Sequence, residues 1–332
     1  MPEKNYSSLV CLSGGVDSTA ALLRCGRQFT GVRAVYVDTA GKKAPEQARE
    51  SCEKLGIELI VADAQDLFNR EIKDFARRVY RQGKTPNPCA LCNAKVKLAV
   101  PFSMLQANEF LVTGHYAKYS GGVLRRGRDP SKDQSYFLSL VPKKILDHCC
   151  FPLAESMKAD VREEVLENGL SFITGESQDL CFDWNRTGIS GDIVNTDGET
   201  VGRHNGLDGY TPGQRKGLGA HCARKFVIEL DPQNNRLIIG DEENLYSEYC
   251  ILNNINWLRK PGGSRFSCKI QIRYRKAATP ADVILHEDGQ SARVRFHHPQ
   301  KAVAPGQVGA MFQADNVLGG GIIDRYEGDR NA

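Results

Sequence analysis

The sequence predicts an α/β protein: an N-terminal doubly wound parallel sheet, then a small central domain, then a C-terminal β-barrel. Three observations predict it. Apolar strand-like runs alternate with helical patterns through about residue 115. After about residue 190 the chain turns rich in glycine and turn signals. From about residue 245 onward the pattern is short alternating strands only. Alternation of strands and helices implies a parallel sheet covered on both faces, and a run of short alternating strands implies a barrel or sandwich. The expected boundaries are 1–190, 191–243 and 244–332, consistent with 332 residues holding two or three cores.

The elements follow in order. "SLVCL" (8–12) is a short apolar strand that meets the glycine turn "SGGVDST" (13–19), and "AALLRCGRQ" continues as a helix. "VRAVYVD" (32–38) is a second strand, "APEQARESCEKLG" (44–56) a helix closed by Gly56, and "IELIVAD" (57–63) a third strand. "DLFNREIKDFARRVYRQG" (66–83) carries Phe68, Ile72, Phe75 and Val79 at helical spacing, and "EFLVTGH" (109–115) is another buried strand. "RKFVIELDPQNNRLIIGD" reads as two strands around a polar turn. In "CKIQIRYRK", Ile270, Ile272 and Tyr274 alternate with Lys269, Gln271, Arg273 and Arg275; in "ARVRFHH", Val294 and Phe296 alternate with Arg293, Arg295 and His297. Those basic faces suit either a solvated exterior or a surface that contacts RNA phosphates.

Bulk composition narrows the class. Charged residues make up 25% and hydrophobic residues 41%, as in ordinary soluble proteins. The N-terminus lacks the basic flank and apolar core of a signal peptide, and no stretch approaches the ~20 apolar residues of a membrane span, so the expectation is a cytoplasmic protein without a membrane partner. The net charge of +4 neither demands nor excludes nucleic acid. Eleven cysteines without an export signal are expected to be largely reduced thiols, most of them packing groups, such as Cys11, Cys25, Cys52 and Cys268. The pair in "TPNPCALCN" (85–93) is different: a C-x-x-C there suits a redox pair, half a zinc site, part of an iron–sulfur site, or a loop with one catalytic thiol.

In "SGGVDST" the glycines permit a tight turn and close backbone approach to an anion, and the helix that follows adds exposed N–H groups with a partial positive charge. The loop lacks the Walker A lysine and the G-x-G-x-x-G pattern. With Ser13, Gly14, Gly15, Asp17 and Ser18 it resembles the pyrophosphatase-type (PP) loop of enzymes that split ATP between the α and β phosphates. Such enzymes adenylate a carbonyl or carboxyl oxygen, turning a poor leaving group into AMP for a nitrogen or sulfur nucleophile to displace.

Six further stretches extend the resemblance: "TPNPCALCN", "TGHYAK" (113–118), "RDPSKDQSYFL" (128–138), "GESQDLCF" (175–182), "GYTPGQRKGLG" (209–219) and "LGGGII" (318–323). In this order, over nearly the whole chain, they resemble the tRNA-specific 2-thiouridylases, whose fold is a PP-loop ATPase domain of the adenine nucleotide alpha hydrolase type with a tRNA-contacting barrel. The resemblance implies ATP and Mg2+ held by Leu12, Ser13, Gly14, Gly15, Val16, Asp17, Ser18 and Thr19, with Val37 and Gly114 lining the nucleotide site. It implies a persulfide on Cys181 with Cys92 as its partner, and Asn87, Pro88 and Cys89 facing the target base. It implies tRNA contacts from His115, Lys132, Asp133, Gln134, Arg273, Tyr274 and Gln307, and a sulfur donor: a cysteine desulfurase, a sulfur-relay protein or free sulfide.

Two departures from the family stand out. Many members carry aspartate where this chain has Cys89, so Cys89, Cys92 and Cys181 together offer three thiolates, enough for a 4Fe-4S cluster with one open iron; a persulfide route and a cluster route both stay open. Only "DWNRTGIS" (183–190) separates "DLCF" from "GDIV", a short segment that leaves the RNA substrate open. The alternatives are a paralogue acting on another RNA, an amide-forming ligase on the same loop, and an RNA-binding protein without catalysis.

Overall fold

A computed structural model describes residues 6–174, 188–219 and 224–325. Strands β1 (Ser7–Cys11), β2 (Gly31–Asp38), β3 (Glu58–Asp63) and β4 (Glu109–Val112) are followed by a hairpin, β5 (Ala117–Ser120) with β6 (Val123–Arg126), and by the short β7 (Cys149–Cys150). The parallel sheet runs β3-β2-β1-β4-β7. Chain order reverses between β1 and β4, and ligands in open α/β sheets bind beyond the strand ends at such a reversal. The loop 13–18 and the segment around Gly114 leave β1 and β4 at this point. Helix α1 (Val16–Gln28) buries Ala20, Ala21, Leu22 and Cys25, and α2 (Glu46–Leu55) stops at Gly56 in the left-handed conformation, φ +64°.

The expected helix 66–83 is helical over three consecutive segments, Gln65–Phe68, Asn69–Asp74 and Phe75–Arg81, the middle one a π-helix. Its wider turns change the phase of the buried stripe: Phe68, Ile72 and Ala76 are buried, whereas Phe75 and Val79 are only half-buried. A second π segment, Asn93–Lys97, continues the short helix Pro88–Cys92. The two meet in one apolar cluster that holds Phe68, Ile72, Cys92 and Val96, with Val37 against it.

The central region is a four-stranded sheet of β8 (Gly191–Val194), β9 (Thr200–His204), β10 (Phe226–Asp231) and β11 (Arg236–Gly240), ordered β10-β11-β8-β9. Strands β12 (Tyr246–Trp257), β13 (Arg265–Gln271), β14 (Thr279–Leu285), β15 (Ala292–Lys301), β16 (Val308–Gln313) and β17 (Asn316–Asp324) form an antiparallel barrel that closes by pairing β12 with β17. Its interior carries Leu252, Ile270, Val283, Val294, Phe296 and Met311. The hairpin β5–β6 joins the barrel's sheet through Asn316 opposite Arg125. This attachment is not readable from the sequence, where the hairpin lies inside the nucleotide-binding part.

One expected alternation is corrected. β13 ends at Gln271, and Ile272–Arg275 is a turn rather than strand. Gln271 is buried: its Nε2 donates to the carbonyls of Arg273 and Tyr274 at 3.2 and 2.8 Å, so its amide closes the turn instead of facing outward. The alternation in β15 holds, with Val294 and Phe296 inside and Arg295 and His297 exposed.

Candidate active site

The loop after β1 is held open by its own hydroxyls. The Ser13 N–H donates to Ser18 Oγ at 3.1 Å, Ser18 Oγ donates to the Gly15 carbonyl at 2.9 Å, and Thr19 Oγ1 donates to the same carbonyl at 3.1 Å. Gly14 has φ +82°, and a Cβ there would lie 3.2 Å from Pro45 and 3.3 Å from Ile173, so the loop needs glycine at this point. Gly15 caps α1 without a side chain, leaving the first-turn N–H groups facing the cleft. Leu12 and Thr19 are fully buried and support the loop from below.

Asp17 does not stand alone. Lys158 Nζ, at the start of the helix Lys158–Glu167, donates to both its oxygens at 2.7 and 2.8 Å, and Tyr116 Oη donates at 2.9 Å. Lys158 and Tyr116 are residues that sequence reasoning missed. Lys158 lies 141 positions from its partner and carries no local signature. Tyr116 lay inside a quoted motif, but nothing in its spacing pointed to Asp17. A divalent cation at Asp17 must compete with this ammonium; the carboxylate chemistry fits Mg2+, in a site whose charge is already balanced by lysine.

Gly114 packs directly on the loop's helix. A Cβ there would lie 2.6 Å from the carbonyl carbon and oxygen of Asp17 and 2.9 Å from the Ser18 nitrogen. Beside it, the half-buried His115 ring meets Thr113 Oγ1 through Nδ1 at 2.5 Å. Burial first, and then Lys97, pull its pKa from 6.5 down to about 4, so the ring is neutral near pH 7. An unfolded chain takes up that proton at higher pH than the folded one. Stability is therefore expected to fall as pH drops from about 6.5 towards 4, with a slope from this group of at most about 1.4 kcal/mol per pH unit. Denaturant titrations of the wild type and of H115Q across that range check it: the acid limb should flatten in the variant.

The cysteine loop is tied to the barrel. Asn87 caps the helix Pro88–Cys92, its Oδ1 accepting from the Ala90 N–H at 3.1 Å while its Nδ2 donates to Tyr136 Oη at 3.3 Å. Pro88 takes the first helical position, where its missing N–H costs nothing. Cys89 is exposed on the cleft, and Cys92, one turn on, is buried in the apolar cluster. Cys181 lies outside the described residues. Among the described residues no set of three or more His, Cys, Asp or Glu side chains is placed to hold a metal ion.

Gln307, at the barrel rim, donates through Nε2 to the carbonyls of Thr85 and Pro86 at 3.0 and 3.1 Å, and the Thr85 N–H donates to the Pro305 carbonyl at 2.7 Å. Its amide thus holds the segment that leads into the cysteines. Q307A is expected to loosen that segment by about 1–2 kcal/mol. Limited proteolysis across residues 84–93 measures it: an unchanged cleavage rate in Q307A would mean that Gln307 does not hold the segment.

All these parts open on one cleft of about 2560 Å3 that runs from the loop past Cys89 to the barrel. Twelve lysines and arginines line it against four carboxylates, which suits a polyanion. Lys132 faces it half-buried, as do Arg273 and Lys276. Arg273 donates to the Pro212 carbonyl at 2.7 Å and Lys276 to the Lys301 carbonyl at 2.6 Å. Burial lowers both pKa values, and among the described residues these hydrogen bonds go to carbonyls rather than carboxylates. Tyr274 stacks with Phe137 at 4.4 Å. Asp133 and Gln134 point inward instead: Asp133 accepts from Arg126, Gly127 and Ser135, and Gln134 exchanges hydrogen bonds with the Tyr116 backbone. Val37 packs in the cluster beneath Cys92.

Comparison with known proteins agrees with this architecture. Residues 7–183 match the model of the tRNA methyl transferase HUP domain, 185–241 that of the tRNA methyl transferase PRC-barrel domain, and 247–323 that of the aminomethyltransferase beta-barrel domain. The tRNA-specific 2-thiouridylase MnmA of Acidithiobacillus ferrooxidans is 39% identical over 96% of this chain and 99% of its own length. Its namesake in Nostoc punctiforme is 37% identical over 96% and 99%, and that in Campylobacter concisus 35% over 95% and 98%. With one such match spanning loop, cysteine helix and barrel alike, the chain belongs to the tRNA-specific 2-thiouridylase family.

Proposed function

We propose that this protein is an ATP-dependent sulfurtransferase that replaces the 2-carbonyl oxygen of a tRNA uridine, at the wobble position, with sulfur. The observation that carries the reading is the shared cleft: the phosphate loop, an exposed thiol and a strongly basic wall face the same space. The loop N–H groups and hydroxyls take the phosphates. The uridine 2-oxygen attacks the α-phosphorus, pyrophosphate leaves, and the oxygen later departs as AMP once sulfur adds to C2. Asp17 would hold Mg2+, in competition with Lys158, and the ion when bound would supply charge neutralisation at the phosphates.

Sulfur arrives as the outer sulfur of a donor protein's persulfide: the Cys181 thiolate attacks it, the donor thiol leaves, and Cys181 carries the persulfide. Cys92, or the exposed Cys89, then attacks the inner sulfur, forms a disulfide and releases the outer sulfur to the activated carbon; two electrons from a thiol reductant restore the pair. Burial of Cys92 keeps that thiol away from adventitious oxidants. In the alternative route, Cys89, Cys92 and Cys181 would hold a 4Fe-4S cluster, which when bound supplies an open iron for hydrosulfide. The donor set fits in kind, and anaerobic iron analysis separates the routes.

The test is two-part. Wild-type protein with ATP, tRNA and a persulfide sulfur donor should release AMP and yield 2-thiouridine by nucleoside mass spectrometry; no AMP with any tRNA would remove the proposal. C92S and C181S should keep tRNA-dependent ATP–pyrophosphate exchange within about threefold yet lose thiolation at least about a hundredfold, because activation needs no thiol. An amide-forming ligase on the same loop would keep full turnover in both.

A further inference from the structure

Two buried polar atoms in the cleft have no hydrogen-bond partner among the described residues: Asn93 Oδ1 and Thr85 Oγ1. Both side chains line the cleft, and Asn93 is 6% exposed and Thr85 5%. Leaving such atoms unpaired costs about 1–3 kcal/mol each, so a buried orphan calls for a ligand. Their surroundings say where the ligand sits. Asn93 begins the π segment that follows Pro88–Cys92, and stands four residues after Cys89, hence on the same helical face as the exposed thiol. Thr85 is fixed from behind: its N–H donates to the Pro305 carbonyl, its own carbonyl accepts from Gln307, and Gly306 approaches so closely that a Cβ there would lie 2.8 Å from that carbonyl. The backbone of Thr85 is fully used, and only its hydroxyl is left for the cleft. Irregular π turns recur at functional sites because they aim a side chain that a regular helix would not.

Resting on the thiolation reading above, we propose that Asn93 reads the pyrimidine edge of the flipped-out target base, with Thr85 as its companion, and so selects uridine over cytidine. A carboxamide is the complement of the uracil edge: its oxygen accepts the N3–H while its NH2 donates to the 4-carbonyl. Cytosine offers an acceptor at N3 and a donor at C4, so it presents like to like against the same amide held in that orientation. A base enters such a pocket only unstacked, and buried groups of the pocket are then the ones that discriminate, because the wrong base leaves them unpaired. The 2-carbonyl is left uncovered for adenylation. In this arrangement the protein tolerates an unsatisfied amide in the RNA-free state so that the correct base satisfies it, a stability cost held at a functional position.

The test uses the full-length chain with ATP, a persulfide sulfur donor and two tRNA transcripts, one carrying uridine and one cytidine at the target position. Wild type should release AMP with the first and much less with the second. N93A should lose roughly ten- to a hundredfold in kcat/KM for the uridine transcript, with ATP KM and tRNA Kd changed less than about threefold. N93D, which keeps the acceptor and loses the donor, should fall between them, and T85V should lose less than N93A. Melting temperature separates function from scaffold: removing an orphan polar atom should leave N93A at or above the wild type. Full activity in N93A, or a lowered melting temperature that accounts for its loss, overturns the assignment. Failure of the wild type to release AMP with any tRNA overturns the thiolation reading and this one with it, whereas wild-type activity with an unaffected N93A overturns the base-reading role alone.

Discussion

Gly114→Ala is expected to abolish nucleotide activation. The added methyl would sit 2.6 Å from the Asp17 carbonyl carbon and oxygen and 2.9 Å from the Ser18 nitrogen, all of them backbone atoms of the first turn of α1. No rotamer relieves a Cβ clash, so either the segment after β4 or the N-terminus of α1 must move. That N-terminus carries the loop hydroxyl Ser18 and the carboxylate that Lys158 holds. Overpacking of this kind costs about 1–3 kcal/mol in stability. The functional loss should be far larger, because a displacement near 1 Å at a reacting group costs about a hundredfold. ATP–pyrophosphate exchange measures it directly, with tRNA binding as the control: the atoms the methyl would meet belong to the first turn of α1 and not to the barrel, so Kd should stay within about threefold of wild type. Exchange at the wild-type rate would mean that the segment relaxes without disturbing the loop.

What the sequence carries and what it does not is visible in the same residues. Ser13–Ser18 were legible because strand, glycine turn and helix are contiguous, and the chemistry of an anion site is written in six neighbours. The barrel was legible because antiparallel strands alternate, and β15 does so through Arg295. The break came at β13, where the pattern runs on through Arg275 but Gln271 is drawn in by Arg126, a residue from the hairpin 145 positions earlier. The Lys158–Asp17 pair, the Gln307 clamp on Thr85 and the docking of β5–β6 on β17 are likewise contacts across large sequence separations. Periodicity reports which face is buried, not against what. The site residues therefore came from motif, and their supports came only from the fold.

Asp133 shows how a motif residue changes its meaning once those supports are seen, and D133A carries the largest expected effect on stability. Its side chain is 7% exposed and lies 2.6 Å from Arg126 Nη1. It also accepts from the Gly127 N–H at 3.1 Å, the Ser135 N–H at 3.1 Å and Ser135 Oγ at 2.9 Å. Arg126 in turn donates to Gln271 in β13 at 3.0 Å and stacks over Phe312 in β16, 3.8 Å from the ring centroid. The carboxylate is thus the anchor of an arginine that joins the hairpin to the barrel. Removing the carboxylate takes a charged hydrogen-bond partner from a half-buried arginine and from three other donors, at about 1.5–3 kcal/mol or more. D133A should therefore unfold at distinctly lower denaturant, and D133N, which keeps the shape and some hydrogen bonds, should lose less. Because a buried acid neutralises no phosphate, the slope of log Kd against log salt for tRNA should be the same in D133A as in wild type, while K132A should lower it by about one. A changed slope in D133A with unchanged stability would return Asp133 to the RNA surface; the four inward hydrogen bonds argue for the opposite, a residue that fastens the hairpin β5–β6 to the barrel through Arg126.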